Sequence, residues 1–452
     1  MQRISKKLAI LLSLILLLSA VGCKAEQPKQ TGEVKKEEQK EVQKPVTLKF
    51  YSWESYFKDN NEKVIKAFQE KNPNINVEVE YVGDGNNNEY LKKIDLMLLS
   101  GQQVDIVMQA NFVDHIVRAT AGVLEPLDDF MKAEGVKYED IFTFNSKIDG
   151  KAYGFPGDVK SWFVMINKNH LDEAGLPLPP LDWTWEDYRE YAKKLTKGEG
   201  KDKRYGSYFH SWADYNLLAF YTDRLDNPFV KKDGSLNFDD PLYKEFMKFR
   251  YDMENVDKCS TPYFEVKSLN LNYRNQFYNE KISMLPVGSW MISEIKNTEK
   301  YPHDFITAFA PLPRWSKESP KGRTITEAMY YCVTNISKFK EEAYKFIKFY
   351  TTDGMSIKGT GMTAQKGGDK NKILDIMMGE NPSKLYDVDS LKKVFNNPDW
   401  FDNVFTNVPK YHAELKKMFV EESEKYLVNG ISLDEAMKNI QKRAQEIADK
   451  NK

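Results

Sequence analysis

Leu48-Lys49-Phe50-Tyr51-Ser52-Trp53 opens a stretch in which two hydrophobic periods take turns. After it, Val64, Ile65 and Phe68 recur at helical steps until Asn72-Pro73 stops them. Ile75, Val77, Val79 and Tyr81 then alternate with polar neighbours, the period of a strand with one buried face. Tyr90, Leu91, Ile94, Met97 and Leu98 return to helical spacing, and Val104 to Met108 is a compact apolar run. Strand, helix, strand, helix, strand is the pattern of a sheet covered by helices, so the expected class is α/β. Further helices are expected at Trp185 to Leu195, Pro241 to Met253, Lys340 to Tyr350 and Leu433 to Ala448. No internal repeat is visible.

Upstream of this stretch the composition changes twice. Arg3, Lys6 and Lys7 precede an apolar run from Leu8 to Leu18, followed by Ser19-Ala20-Val21-Gly22-Cys23. Basic start, greasy core and small-residue exit make a secretory signal, expected to span 1–22. The whole apolar stretch, Leu8 to Gly22, is about 15 residues, short of the ~20 that cross a bilayer. Cys23 after Ala-Val-Gly resembles a bacterial lipobox, whose sulfur receives a diacylglyceryl group; two acyl chains hold a protein stably to a membrane. Ala20 departs from the usual leucine of that motif. From Lys24 to Pro45 the chain is Lys, Glu, Gln and Pro with almost nothing apolar, a composition that favours a mobile tether.

The folded remainder is too long for one core, so two domains are expected. The net charge of −1 offers no concentrated basic surface for nucleic acid. Besides Cys23 there are only Cys259 and Cys332, read as two buried thiols rather than a disulfide framework. The five histidines lack ligand spacing, and no metal or cofactor is expected. There is no G-x-S-x-G elbow, no H-E-x-x-H pair and no phosphate loop followed by lysine. With 67 Asp and Glu residues, a glycosidase-like carboxylate pair stays open as an alternative.

Aromatic residues in loops carry the functional signal. Ser52-Trp53-Glu54, Phe209-His210-Ser211-Trp212-Ala213-Asp214 and Val287-Gly288-Ser289-Trp290 place rings beside turn residues and hydrogen-bonding groups. A sugar has a C–H face on which a ring stacks and a hydroxyl rim that carboxylates and amides clamp. Core filling is the plainer role for any one of these rings. It fits Trp290 least, since glycine and serine lead directly to it.

The chain resembles the solute-binding proteins of ABC importers, in the large sugar-binding group that includes maltose-binding protein. The likeness runs through Phe68-Gln69-Glu70-Lys71-Asn72-Pro73, Ser100-Gly101-Gln102-Gln103-Val104-Asp105 and Gly122-Val123-Leu124-Glu125-Pro126-Leu127. It continues through Asp149-Gly150-Lys151-Ala152-Tyr153-Gly154-Phe155-Pro156, the Trp290 loop, and Ala343 to Phe349 with Asp353-Gly354. Two segments depart from the group. Thr326-Glu327-Ala328-Met329-Tyr330-Tyr331 stands where glycine-rich sequence is common, so bulkier side chains would narrow the cleft or alter its ligand. Asn111 and Phe112 replace other polar or aromatic groups.

The resemblance implies a type II periplasmic-binding-protein-like fold: two lobes, three hinge crossings and a ligand cleft between them. Lobe 1 would comprise 47–158 and 310–351, and lobe 2 159–309 and 352–452. The crossings would lie near Asp158, near Phe309 to Leu312 and near Thr352. Ligand residues would be Trp53, Glu54, Asn111 and Asp158 facing Trp212, Asp214 and Trp290, with Arg274 and Tyr330 as further candidates. The implied protein is a monomer that binds carbohydrate without turning it over. It would dock on an ABC permease, moored by Cys23 to the outer face of the cytoplasmic membrane of a Gram-positive cell. Other readings are a tethered carbohydrate-active enzyme, a receptor serving a sensor kinase, or a peptide or polyamine binder, the last favouring an acid-dominated cleft.

Overall fold

The computed structural model describes residues 44–143, 145–225, 227–403 and 407–451. The signal segment, Cys23 and most of the tether lie outside the described residues. The opening stretch folds as its periods dictate. Strand β1 (Val46–Ser52) pairs in parallel with β2 (Ile75–Tyr81) on one side and β3 (Ile106–Gln109) on the other. Helix α1 (Lys58–Lys71) buries Val64 and Phe68, and α2 (Asn87–Leu99) buries Tyr90 and Ile94. The Asn86 side chain caps α2 by accepting from the Asn88 and Glu89 amides.

The rest of the sheet comprises β4 (Phe155–Asn167), β5 (Met284–Gly288), β6 (Thr307–Pro311), β7 (Arg323–Val333), β8 (Met362–Thr363) and β9 (Phe401–Asn403). The order is β2-β1-β3-β7-β4-β5, with β6 and β8 also on β4 and β9 on β7. Two long strands carry the sheet from one region to another. The first part of β4, to Ser161, pairs with β7, whereas Trp162 onward runs between β5 and β6. The start of β7 pairs with β9, its middle with β4 and its end with β3.

The β4 register slips between Pro156 and Val159. A Cβ on Gly157 would come within 2.4 Å of the Tyr331 ring, so this close strand approach needs glycine. Beyond the slip, side chains alternate between two cores, as the strand period requires. Phe163 and Met165 join one, while Trp162, Val164 and Ile166 join the other with Trp185, Tyr188 and Phe246.

Of the expected crossing points, Asp158 lies in the slip, Phe309 to Leu312 ends β6, and Thr352 separates the helices Lys340–Thr351 and Asp353–Lys358. The expected helices are present as Trp185–Leu195, Pro241–Tyr251, Lys340–Thr351 and Leu433–Lys450. The second ends earlier than expected because a π-turn, Asp252–Val256, takes over and buries the Arg250–Glu254 ion pair at 2.7 Å. Cys259 and Cys332 are buried free thiols in different cores, as expected. Among the described residues, no helix is long and apolar enough to cross a membrane.

Candidate ligand-binding site

A cavity of about 580 Å³ opens where β3, β7 and the second half of the chain converge. Its size is typical of a small-molecule site. Asn111 brings one wall: it ends the β3 connection and caps the next helix, α3 (Phe112–Thr120), by accepting from the Asp114 amide at 2.9 Å. Thr326, Glu327, Ala328 and Tyr330 of β7 form the floor. Asp214, Tyr221 and Phe229 close the far side, with His412 and Lys416 from the helix His412–Leu427.

Asp114, Asp214, Glu327 and Glu421 line this space together with Lys416 and Lys417. Lys416 Nζ is 3.5 Å from Asp214, and the Asp214, Glu327 and Asp114 charges hold its ammonium above its ordinary range. The Tyr221 hydroxyl donates to Asp214 at 3.0 Å, and the Asn87 amide donates to Asp114 at 3.0 Å. Burial raises the Asp114 carboxyl. Burial, then Asp214 and Asp114, push Glu327 up to about 7 against the opposing pull of Lys416. His412 is 8% exposed, and burial pulls it down to about 4.

Beside the cavity lies an aromatic platform. Trp212, 38% exposed, precedes Asp214 by two residues and packs on His210, Tyr273 and Trp290 at 4.9, 5.3 and 6.2 Å between ring centres. Trp290 stands edge-on to Trp162 and donates its indole N–H to the Tyr273 hydroxyl at 3.1 Å. Its ring folds back over Gly288, where a Cβ would come within 1.9 Å. The glycine two residues before the tryptophan is therefore a packing requirement. Arg274 pairs with Glu294 at 2.6 Å and lies over the Tyr273 ring.

The structure thus brings Asn111 and Asp214 to the cavity, joined by Tyr330, and puts Trp212 and Trp290 together on the platform. It does not bring Trp53, Glu54 or Asp158 to the cavity. Trp53 is buried against Tyr90 at 5.1 Å. Glu54 and Asp158 flank the fully buried Lys358, whose Nζ is 2.6 Å from Glu54 and 3.8 Å from Asp158. Burial works against the Lys358 charge, but negative neighbours led by Glu54 raise it well above its ordinary value. Lys160 reaches Asp158 from the other side at 2.7 Å.

A family model matches residues 50–356, covering most of the folded chain. The chain belongs to the bacterial extracellular solute-binding proteins. This binding protein is 24% identical to a multiple sugar-binding protein of Streptococcus mutans over 320 residues, spanning 68% of this chain and 71% of that one. Its fold matches an open sugar transporter structure from Rhizobium etli, with TM-score 0.72 and 23% identity over 88% and 99% of the two chains. It also matches an ABC substrate-binding protein of Listeria monocytogenes in complex with cycloalternan, with TM-score 0.71 and 20% identity over 89% and 98%. The fold is the expected two-lobed α/β arrangement.

Sequence reasoning did not single out Asp114, Tyr221, Phe229, His412 and Lys416, which line the cavity. A signal existed for His412. His412, Leu415, Phe419, Glu422 and Tyr426 are buried along one helix face, and that spacing is visible in the sequence.

Proposed function

We propose that this solute-binding protein captures a carbohydrate, an oligosaccharide, and delivers it to the permease of an ABC importer. One observation carries the reading: an aromatic platform of Trp212, Trp290 and Tyr273 adjoins a cavity rimmed by Asn111 and Asp214. Rings for the C–H face and acceptors for the hydroxyls are what a sugar requires. The sugar-binding names of its relatives support the same class. Lobe closure around the ligand would proceed by twist in β4 and β7 and at Thr352, the two lobes being bounded as the sequence suggests. Ligand contacts made only in the closed form set how far the population shifts. The protein acts as a monomeric receptor without turnover, lipid-anchored through Cys23 on the outer face of the cytoplasmic membrane of a Gram-positive cell.

The test is a melting-temperature screen of residues 24–452 against mono- and oligosaccharides, followed by small-angle scattering with each hit. A stabilising sugar that compacts the protein and is recovered intact supports the reading. Sugar hydrolysis, or no stabilisation by any carbohydrate, refutes it.

A further inference from the structure

Trp212, Tyr273 and Trp290 all lie in 159–309, the span proposed above as part of the second lobe. A ligand stacked on those rings alone would keep the same contacts whether the lobes stand apart or together. It would not favour closure, which needs contacts from the first lobe as well. Trp53, Glu54 and Asp158 do not supply them, being committed to Tyr90 and to Lys358.

Tyr56 is placed to do so. It is the one exposed tyrosine among the described residues, with 56% of its surface open. It sits in the turn Ser55–Phe57, just past the carboxyl end of β1, and ligands collect at that edge of a parallel sheet. Its ring stands edge-on to Phe57 at 4.7 Å, and the Lys358 ammonium lies over the Phe57 face at 5.6 Å. The ring also rests against Gly85, where a Cβ would stand 3.5 Å from it. Asn87 and Asn88, two and three residues further on, line the cavity. Tyr56 is thus braced by two neighbours at the first-lobe margin of the cavity.

Contacts lead from this turn to the helix that begins with Trp290. Asn60 donates to the Lys358 carbonyl at 2.8 Å, a Cβ on the next residue, Gly359, would come within 2.3 Å of Ile376, and Lys296 donates to the Ile376 carbonyl at 3.3 Å. Lys296 directly follows the helix Trp290–Ile295. The Tyr56 hydroxyl agrees with this placement. Burial raises it above the ordinary tyrosine value, Glu54, Asp158 and Glu294 add to that, and Lys358 opposes them. A side chain open to water yet crowded by protein lines a cleft, not a convex surface.

Glu294 lies four residues past Trp290, on the same helix face and about 6 Å along the axis. Arg274 grips it through two hydrogen bonds, at 2.6 and 2.7 Å, and covers Tyr273 at 4.6 Å. A pair rich in donors and acceptors therefore stands one helical turn beyond the stacking indole.

We propose that Tyr56 is a ligand-binding residue of the first lobe, stacking on a saccharide ring held beside Arg274 and Glu294. One ring of the ligand lies on the Trp212–Trp290 platform. The next lies one turn along, between Tyr56 and the ion pair, whose outer edges bond its hydroxyls. The site then takes a linear saccharide of at least two rings. The inference rests on the carbohydrate reading above and adds to it a second subsite and a contact that closure alone completes.

The experiment is calorimetric titration of residues 24–452 with glucose, xylose, mannose and arabinose, each alone and as linear oligomers of two to four rings. In a series that binds, the two-ring form is expected to bind roughly tenfold or more tighter than the monosaccharide. Tyr56→Ala should weaken the two-ring and longer forms by about tenfold, and the monosaccharide by far less. Tyr56→Phe, which keeps the ring, should recover most of the loss. Both variants should melt near the wild type without ligand, because the ring is exposed, which separates a lost contact from a damaged fold. Oligomers bound no better than the monosaccharide, or not weakened by Tyr56→Ala, overturn this inference and leave the carbohydrate reading intact. Binding of no member of any series overturns both.

Discussion

Lys358 and Glu54, 304 residues apart in the chain, meet at 2.6 Å with neither side chain open to solvent. Asp158, at the β4 register slip, completes the cluster at 3.8 Å from the same ammonium. The cluster ties the end of β1, the slip in β4 and the helix Asp353–Lys358 into one joint. Removing the cation would leave two carboxylates without their shared partner.

Lys358→Met is therefore expected to lower the unfolding free energy by ~3–5 kcal/mol, the usual cost of breaking a buried pair from one side. Glu54→Gln together with Lys358→Met should recover part of that loss, because fewer charges remain unmatched. Denaturant unfolding of the two variants checks it; equal losses would show that the pair is not coupled.

Trp290 is expected to be an affinity hot spot on the platform. Trp290→Ala should weaken sugar binding by ~2 kcal/mol, about thirtyfold. Gly288→Ala should do much of the same harm without touching the indole, since its Cβ would strike the ring at 1.9 Å and push it off the platform. Titration of both variants with the same stabilising sugar is the measurement, and unchanged affinity in both removes Trp290 from the site.

The Glu327 carboxyl has an ordinary value of 4.5 and a folded value of about 7. The folded state thus keeps a proton that the unfolded chain gives up in this window. Its contribution to stability is full below 4.5 and is lost as pH rises to about 7, by up to ~3 kcal/mol. The surrounding charges are Asp214 on its turn, Asp114 on α3 and Lys416 on the facing helix. Buried His412, pulled down to about 4, acts in the opposite direction, costing stability as pH falls from 6.5. Comparing wild type with Glu327→Gln cancels the histidine effect. The variant should gain on the wild type as pH rises from 4.5 to 7, and a pH-independent difference would contradict this.

Neither thiol should react in the native protein. Cys332 is enclosed by the first core, and burial raises its thiol; Cys259 is pushed up to about 12 by burial in the second. A disulfide reagent added to the chain without Cys23 should label nothing until denaturant is added, then two groups. Native labelling would show that one core opens.

Local periodicity carried the α/β class, because each opening element buries its apolar face within its own neighbourhood. The same reasoning reached Trp290, whose leading glycine signals backbone contact. It assigned Glu54 and Asp158 to ligand, whereas the structure pairs both with Lys358, because an acid beside an aromatic or a turn looks alike whether its counter-charge is a ligand or a buried lysine far along the chain. Lys358 lies in a polar-looking segment, Ser356-Ile357-Lys358-Gly359-Thr360, that gives no hint of complete burial. Glu327 was visible only as a departure from the glycine-rich pattern. The meaning of that departure lies in the convergence of Asp114, Asp214 and Lys416, which no linear spacing reveals.

The β3–β7 ladder joins Ile106–Gln109 to Tyr330–Val333. The first strands emerge from the ribosome long before the partner that encloses them exists, so their sheet has an unfinished flank for most of synthesis. Such distant pairing slows folding. If the chain is exported as proposed above, that delay is useful: it would stay pliable until its last third has been made.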